Sequence, residues 1–191
     1  MNNIFEKNLR TLKDISIDNH DPSNPEYMTE SDEMAVDFDR VKEDYVYEKD
    51  LYYHPKSADA LVDRDGQLTM IEFKNGTVDR DLVRDIKEKM LASALIYSDI
   101  TGRDLEFIRS KMDFILVYNY NKNPFKANKV SNSFYKDQLK RGIFKKAKLR
   151  YRQFGLDQYE GFVYKNVYTY SMRDFRQEFT GCLLYTSPSP R

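Results

Sequence analysis

The chain has 191 residues, 40% of them hydrophobic and 32% charged, which is enough to bury the core of one α/β domain. No run of about 18 apolar residues occurs and the N-terminal sequence mixes charges with apolar positions, so we expect neither a membrane span nor a signal peptide. A single cysteine excludes an internal disulfide and a cysteine-rich zinc site. We therefore expect a cytoplasmic protein, in which any metal is a hard cation held by carboxylates.

Apolar spacing predicts the elements of the N-terminal half in chain order. Apolar positions three and four residues apart predict helices over Asn3–Ile15 and from about Thr29 to Tyr45. Residues Ser57–Asp63 and Gln67–Lys74 read as two strands. The intervening Arg64-Asp65-Gly66 predicts a tight turn, because Asp-Gly is a favoured hairpin dipeptide.

The second half begins with a long amphipathic helix, predicted over Asp79–Asp99. A continuous apolar run over Asp113–Tyr118 then predicts a strand buried on both faces. If the two strands that this helix joins are parallel in one sheet, their crossover is right-handed. This order predicts an α/β fold with a central mixed sheet flanked by helices. Three further elements are predicted: a helix at about Asn132–Tyr151, a strand over Gly161–Tyr168 and a short helix over Met172–Phe179.

The last ten residues, Cys182 to Arg191, read CLLYTSPSPR. They resemble the translation of a sequencing-library adapter, in which case the natural reading frame is cut near Thr180 and a natural C-terminal segment is missing. A natural Ser/Pro tail is the alternative, and both interpretations predict disorder. We therefore expect residues 1–181 to form a single domain and residues 182–191 to be a non-native disordered tail.

The predicted hairpin brings two carboxylates and a lysine together. Asp59 and Glu72 are equidistant from a turn at Asp65-Gly66, so they face each other with Cβ atoms about 4.5–5.5 Å apart. Lys74 lies two residues beyond Glu72 and shares its face of the strand. Two carboxylates this close repel each other unless a cation lies between them, and Mg²⁺ held by carboxylates and water meets that need.

The stretch SADALVDRDGQLTMIEFKNG resembles the signature of the PD-(D/E)XK nuclease superfamily, in which an Asp on one strand precedes D/E-X-K on the next. The match falls on Asp59 and on Glu72-Phe73-Lys74, while Ala58 stands where the family has proline. The family's core order is a helix, three strands, a helix and a strand, which agrees with the predicted order over about residues 55–118. One strand is unassigned: it lies either between Tyr45 and Tyr53 or within a more bent hairpin.

The resemblance implies a restriction-endonuclease-like core and a nuclease that requires Mg²⁺ or Mn²⁺. It implies that Asp59, Glu72 and the Phe73 backbone carbonyl hold the metal, and that Lys74 positions or helps to deprotonate the attacking water. The alternative is a catalytically inactive nuclease-fold module that binds nucleic acid or a protein partner. The simplest interpretation is structural: a surface hairpin that carries a Glu–Lys pair. Many members add a Glu from the first helix, and the candidates are Glu6, Glu30, Glu33 and Glu43.

The segment between Asn121 and Gln153 is strongly basic, with eleven Lys or Arg and one acid, Asp137, which leaves 20 basic and 30 acidic residues elsewhere. This asymmetry predicts a surface for nucleic acid, with DNA preferred to RNA, and interleaved aromatics that stack on bases. Three alternatives stay open. The basic segment can be a solvated amphipathic helix, the protein can be a protein-binding module whose acidic part is Asp18–Asp50, and it can form a homodimer. The candidate nucleic-acid contacts are Lys140, Arg141, Lys145, Lys146, Lys148 and Arg150.

Overall fold

The structure is a computed structural model that describes residues 3–18, 23–124 and 153–181. Two short strands, the second and third along the chain, pair only with each other. The other six form one mixed sheet in the order β1-β4-β5-β6-β7-β8. In chain order the strands are β1 (Leu9–Thr11), β2 (Ile17–Asp18), β3 (Glu26–Tyr27), β4 (Met34–Asp37), β5 (Ala60–Arg64), β6 (Gln67–Lys74), β7 (Met112–Tyr118) and β8 (Val167–Ser171).

Helices flank this sheet, and one of them is much longer than the others. None of the helices in the described ranges is both long enough and apolar enough to span a membrane. A 3₁₀ turn covers Asp157–Tyr159, and a π-helical turn covers Arg176–Thr180. The α-helices are α1 (Asn3–Glu6), α2 (Leu12–Ile15), α3 (Phe38–Glu48), α4 (Arg80–Thr101), α5 (Leu105–Lys111) and α6 (Met172–Phe175).

The hairpin of β5 and β6 has the register that the sequence predicts. Ala60 pairs with Ile71 in an antiparallel ladder. The turn residues Asp65 and Gly66 have φ angles of 54° and 82°. Positive φ at both central residues matches the right-handed twist of the strands, which is why Asp-Gly is favoured there. Continued by one residue beyond Ala60 and Ile71, the same register places Asp59 opposite Glu72.

The β6-α4-β7 unit is also confirmed. Asp79 caps the start of α4 by accepting a hydrogen bond from the Leu82 N–H, and Gly102 ends the helix with φ 67°. After α5, which the sequence did not predict, the chain enters β7, parallel to β6. Strand β8 is parallel to β7 in turn, so the sheet is antiparallel from β1 to β6 and parallel from β6 to β8.

Alternating side chains on β6 build a core on each face of the sheet. Leu68 and Met70 join the core under α1, α3, α4 and α5. Ile71 and Phe73 join the core under α2, α6 and the π-helical turn. Because residues two apart share a face, Glu72 points toward α4 with Met70. The sheet therefore carries a carboxylate into an apolar layer.

The two predicted N-terminal helices were too long. The helix Asn3–Ile15 is interrupted by β1, because the Asn8 side chain donates to the Ile4 carbonyl and ends α1. The helix predicted from Thr29 starts only at Phe38, since Asp37 caps it by accepting from the Arg40 N–H. Residues Met34–Asp37 instead form β4, and the described stretch between Tyr45 and Tyr53, where an unassigned strand was one expectation, contains none.

The C-terminal predictions were partly wrong. The strand expected over Gly161–Tyr168 is shifted to β8, because Gly161 has φ 71° and three successive N–H groups donate to the Tyr159 carbonyl, forming a turn. The helix over Met172–Phe179 is present but continues as a π-helical turn after Phe175. The helix at Asn132–Tyr151, the six basic candidates and residues 182–191 lie outside the described residues.

Candidate active site

Asp59 lies where regular pairing of the hairpin ends. Its N–H donates to the Ile71 carbonyl at 3.0 Å, and its Oδ2 accepts from the Phe73 N–H at 2.6 Å. The carboxylate thus replaces a backbone acceptor between Ile71 and Phe73, across from Glu72. The hairpin therefore places Asp59 and Glu72 beside each other, as its register predicts.

Glu72 is fully buried and holds two ammonium groups on one oxygen. Its Oε1 accepts from Lys74 Nζ at 2.6 Å and from Lys89 Nζ at 2.8 Å. No donor within the described part of the chain reaches its other oxygen, Oε2. A buried carboxylate oxygen with no partner is costly, so Oε2 is the atom of this cluster with spare capacity for a cation or a proton donor.

Lys89, which the sequence prediction missed, enters the site from α4. Its Nζ lies 3.5 Å from Oδ1 of Asp59, and 14% of its side chain is exposed. One turn further along α4, the Ser93 hydroxyl accepts from the Ala58 N–H at 2.8 Å, so this stretch of the helix docks beside Asp59. Its position in the helix could have predicted this. Lys89 follows the buried Ile86 by three residues and therefore lies on the face of α4 that packs against the sheet.

Opposing effects set the protonation of this cluster. Burial and the neighbouring Glu72 raise the pKa of Asp59 to about 7, against the lowering effects of Lys89, Lys74 and the Phe73 N–H. Burial by itself lowers the pKa of Lys89, but the charges of Glu72 and Asp59 outweigh it and hold that pKa above its ordinary value. Two acidic and two basic side chains thus form a compact cluster in which the charged form of Asp59 is disfavoured.

The cluster borders a cleft of about 660 Å³. Asp59, Phe73 and Lys74 line this cleft, whereas Glu72 lies behind them with no exposed surface. Two further carboxylates, Asp37 and Asp39, line it from the junction of β4 and α3. That junction is tied to Asp59, whose carbonyl accepts from the Phe38 N–H at 2.9 Å. The basic residues that line the cleft are Arg10, Arg40, Lys74 and Lys122.

Comparison with protein-family models, curated proteins and solved structures found no match to this chain. The chemistry of the cluster and its cleft is therefore the basis for a functional proposal. The relevant features are an Asp carboxylate and a Lys ammonium that line one cleft, and a buried Glu that joins them.

None of the four glutamates that were candidates for completing the site lines the cleft. Glu30 pairs with Lys13 at 2.7 Å, and Glu43 pairs with Lys42 at 2.5 Å. Glu33 accepts two hydrogen bonds from the Arg64 guanidinium, at 2.7 and 2.6 Å. Glu6 is exposed on α1. The carboxylates that the sequence prediction missed, Asp37 and Asp39, occupy the position next to Asp59 instead.

The carboxylate oxygens of the cluster suit a hard cation that takes only a few of its ligands from the protein. Within the described ranges, no group of three or more His, Cys, Asp or Glu side chains is placed to hold a metal ion. Asp59 and Glu72 supply two carboxylates, and Oε2 of Glu72 has no donor there. Mg²⁺ is commonly bound by one or two carboxylates, with water and substrate phosphate as its other ligands. The donor types therefore match such an ion, although Glu72 itself has no exposed surface.

Proposed function

We propose that this protein is a metal-dependent nuclease, which hydrolyses phosphodiester bonds of DNA or RNA with Asp59, Glu72 and Lys74. The observation that carries the proposal is the hairpin geometry. Its register sets Asp59 across from Glu72, with Lys74 Nζ 2.6 Å from Glu72 at the edge of a cleft. A PD-(D/E)XK site requires this arrangement. An Asp on one strand faces a Glu on the next strand, and a lysine follows two residues after the Glu.

The sheet also supports a restriction-endonuclease-like core. Strands β4, β5 and β6 are adjacent and antiparallel, and α4 then leads to the parallel strand β7. The order of three strands, a helix and a strand agrees with that core. One feature departs from it, since α3 lies between β4 and β5.

The residues of the cluster take distinct roles in this proposal. Asp59, Glu72 and the Phe73 carbonyl would hold Mg²⁺ or Mn²⁺, which when bound supplies Lewis-acid polarisation of the phosphate and a water of lowered pKa. Lys74 lines the cleft while it contacts Glu72, so its ammonium is placed to stabilise negative charge on a phosphate there. Burial of Glu72 strengthens these electrostatic interactions by excluding water.

A cation-rich segment that begins at the cleft supports a nucleic acid as substrate, although the cleft lining itself holds five Asp against four Lys or Arg. Lys122 lines the cleft and opens the basic segment Asn121–Gln153 with its eleven cations. Cations that neutralise phosphates release counterions and drive binding to nucleic acid. Arg10 and Arg40 also line the cleft, although both lie within 3.5 Å of Asp37, which reduces their net charge.

One observation favours a second candidate, an inactive nuclease-fold module that binds nucleic acid. Glu72 has no surface in the cleft, and Lys74 and Lys89 already neutralise its charge. A buried, paired carboxylate of this kind also occurs as a purely structural element. This candidate predicts salt-sensitive binding of nucleic acid that does not depend on Glu72 or on a divalent ion.

Cleavage assays distinguish the two candidates. Plasmid, single-stranded DNA and RNA are incubated with pure protein in Mg²⁺, Mn²⁺ or EDTA, beside the variants Glu72→Gln and Lys74→Met. The nuclease proposal expects metal-dependent cleavage that both variants lose. Lys56→Met is the matched control, because Lys56 pairs with Asp85 and Glu88 away from the cleft. Absence of cleavage on every substrate, or equal cleavage by the variants, overturns the proposal, and metal-independent binding by Glu72→Gln then favours the inactive module.

A further inference from the structure

The ammonium of Lys89 occupies the place between the two carboxylates where a bridging cation is expected. Its Nζ lies 2.8 Å from Oε1 of Glu72 and 3.5 Å from Oδ1 of Asp59. The other oxygen of Asp59, Oδ2, is committed to the Phe73 N–H. Oδ1 of Asp59 is therefore the less occupied oxygen for a cation that joins both side chains, and it is the atom that Lys89 approaches.

Lys89 and Lys74 differ in where their side chains lead. Lys74 lines the cleft, with 21% of its side chain exposed. Lys89 comes from α4 and is not among the residues that line the cleft. A substrate in the cleft meets Lys74 first. Lys89 is therefore a positioning residue that acts through the two carboxylates.

Without Lys89, the fold would hold two carboxylates side by side with a single ammonium. Adjacent carboxylates disfavour each other's charge, and burial adds to that cost. The positive charge of Lys89 offsets both effects. Its helix is held in place one turn further along, where the Ser93 hydroxyl accepts from the Ala58 N–H. The same charge that stabilises the metal-free pair opposes a second cation at Oδ1 of Asp59 and at the neighbouring carboxylate of Glu72.

We propose that Lys89 is a built-in counter-cation that competes with the divalent metal for Asp59 and Glu72 and thereby sets the metal affinity of the site. This inference rests on the proposed function, because it concerns the metal of the same site. It goes beyond the three residues of the motif by assigning to α4 the control of metal binding.

The test measures metal binding to the full chain without nucleic acid. Wild type, Lys89→Met, Lys89→Arg and Lys87→Met are titrated with Mn²⁺ and with Ca²⁺ by calorimetry, and thermal unfolding is followed with and without metal. Lys89→Met is expected to bind Mn²⁺ roughly tenfold more tightly or better, as removal of one nearby positive charge predicts. Its midpoint temperature without metal is expected to fall and to recover when Mn²⁺ is added.

The controls separate charge from helix effects. Lys89→Arg keeps the positive charge and is expected to bind metal with about wild-type affinity. Lys87→Met removes the same charge from the same helix, two residues away, and is expected to leave the affinity unchanged. If Lys89→Met fails to fold, Glu72→Gln is compared with Glu72→Gln/Lys89→Met, and the double variant is expected to bind Mn²⁺ more tightly.

Each outcome bears on the inference. Wild type that binds Mn²⁺ while Lys89→Met binds equally or less tightly overturns the counter-cation role and leaves the nuclease proposal standing. Binding by Lys89→Met alone supports the counter-cation role and overturns a metal-dependent function for the wild type. If neither protein binds Mn²⁺ or Ca²⁺, both proposals fail.

Discussion

The backbone N–H of Phe73 donates to Oδ2 of Asp59 at 2.6 Å, so the hairpin itself orients the carboxylate. Because the Asp59 side chain accepts this hydrogen bond from the neighbouring strand, its carboxylate is held in place without a ligand. The same bond lowers the pKa of Asp59, while burial and Glu72 raise it to about 7. Asp59 is thus both a part of the backbone hydrogen-bond network and a group whose charge the fold disfavours.

Replacements of Asp59 are expected to separate these two roles. Asp59→Ala leaves the Phe73 N–H without its acceptor, and the free energy of unfolding is expected to fall by about 1–3 kcal/mol. Asp59→Asn keeps an acceptor oxygen and removes the charge, so we expect a smaller loss. Urea unfolding at pH 6, followed by circular dichroism, measures both values. Equal losses in the two variants would show that the hydrogen bond contributes nothing.

The raised pKa of Asp59 also predicts how stability depends on pH when EDTA keeps the protein metal-free. The pKa of Asp59 is about 7 in the folded protein and about 3.9 in an unfolded chain. Between these values the folded state binds one proton more than the unfolded state, so the free energy of unfolding falls as pH rises from about 4 to about 7. At about 1.4 kcal/mol for each pKa unit, the fall is at most about 4 kcal/mol.

The variant Asp59→Asn provides the reference for this pH dependence, because other groups titrate in the same range. The difference in unfolding free energy between wild type and variant isolates the contribution of Asp59. We expect that difference to move in favour of the variant as the pH rises from about 4 to about 7, and to level off above 7. A difference that stays constant from pH 4 to pH 8 would falsify the raised pKa.

Local signals predicted the part of the fold that carries the site. The hairpin, α4 and β7 each have a cue within a few residues: the Asp65-Gly66 turn, the three-and-four spacing of α4 and the apolar run of β7. What failed depends on distant partners. Strands β1 and β4 are three and four residues long and pair with each other. Such short strands have too little alternation to be distinguished from a helix by spacing.

The candidate site divides in the same way. Asp59, Glu72 and Lys74 were predicted because one hairpin register relates them. Lys89 contacts Glu72 across 17 positions of sequence, from an element whose orientation is set by packing on the sheet. Asp37 was hidden because it belongs to a strand end that resembled a helix interior. Contacts of this kind follow from tertiary packing, to which spacing within one element is insensitive.

The turn of the hairpin is expected to control the register on which the site depends. Gly66 has φ 82°, a left-handed value that costs an L-residue roughly 1–2 kcal/mol, so Gly66→Ala is expected to lower the free energy of unfolding by that amount. Its N–H also donates to Oδ1 of Asp63. Gly76→Ala is the matched control, because a Cβ there meets nothing within 4 Å and its φ is not left-handed. Similar losses in both variants would contradict this account of the turn.

The pair of Glu72 and Lys89 is expected to be strongly coupled. Glu72→Leu leaves the Lys89 ammonium with one distant carboxylate, and Lys89→Met leaves Oε1 of Glu72 with Lys74 alone, so each single change is expected to cost about 3–5 kcal/mol. The double variant removes both charges and fills the space with apolar groups, so its loss is expected to be smaller than the sum by about 1–3 kcal/mol. Lys74 loses a partner in either case, but it lines the cleft and reaches water there.

Urea unfolding of wild type, both single variants and the double variant completes this cycle. Lys87→Met combined with Glu72→Leu is the control pair, since Lys87 lies on the same helix and its loss is expected to add to that of Glu72 without coupling. Additive losses for Glu72 and Lys89 would mean that the 2.8 Å contact is energetically neutral. In that case Lys89 would not be the cation that holds the two carboxylates together, and the stability of the metal-free site would have to come from Lys74.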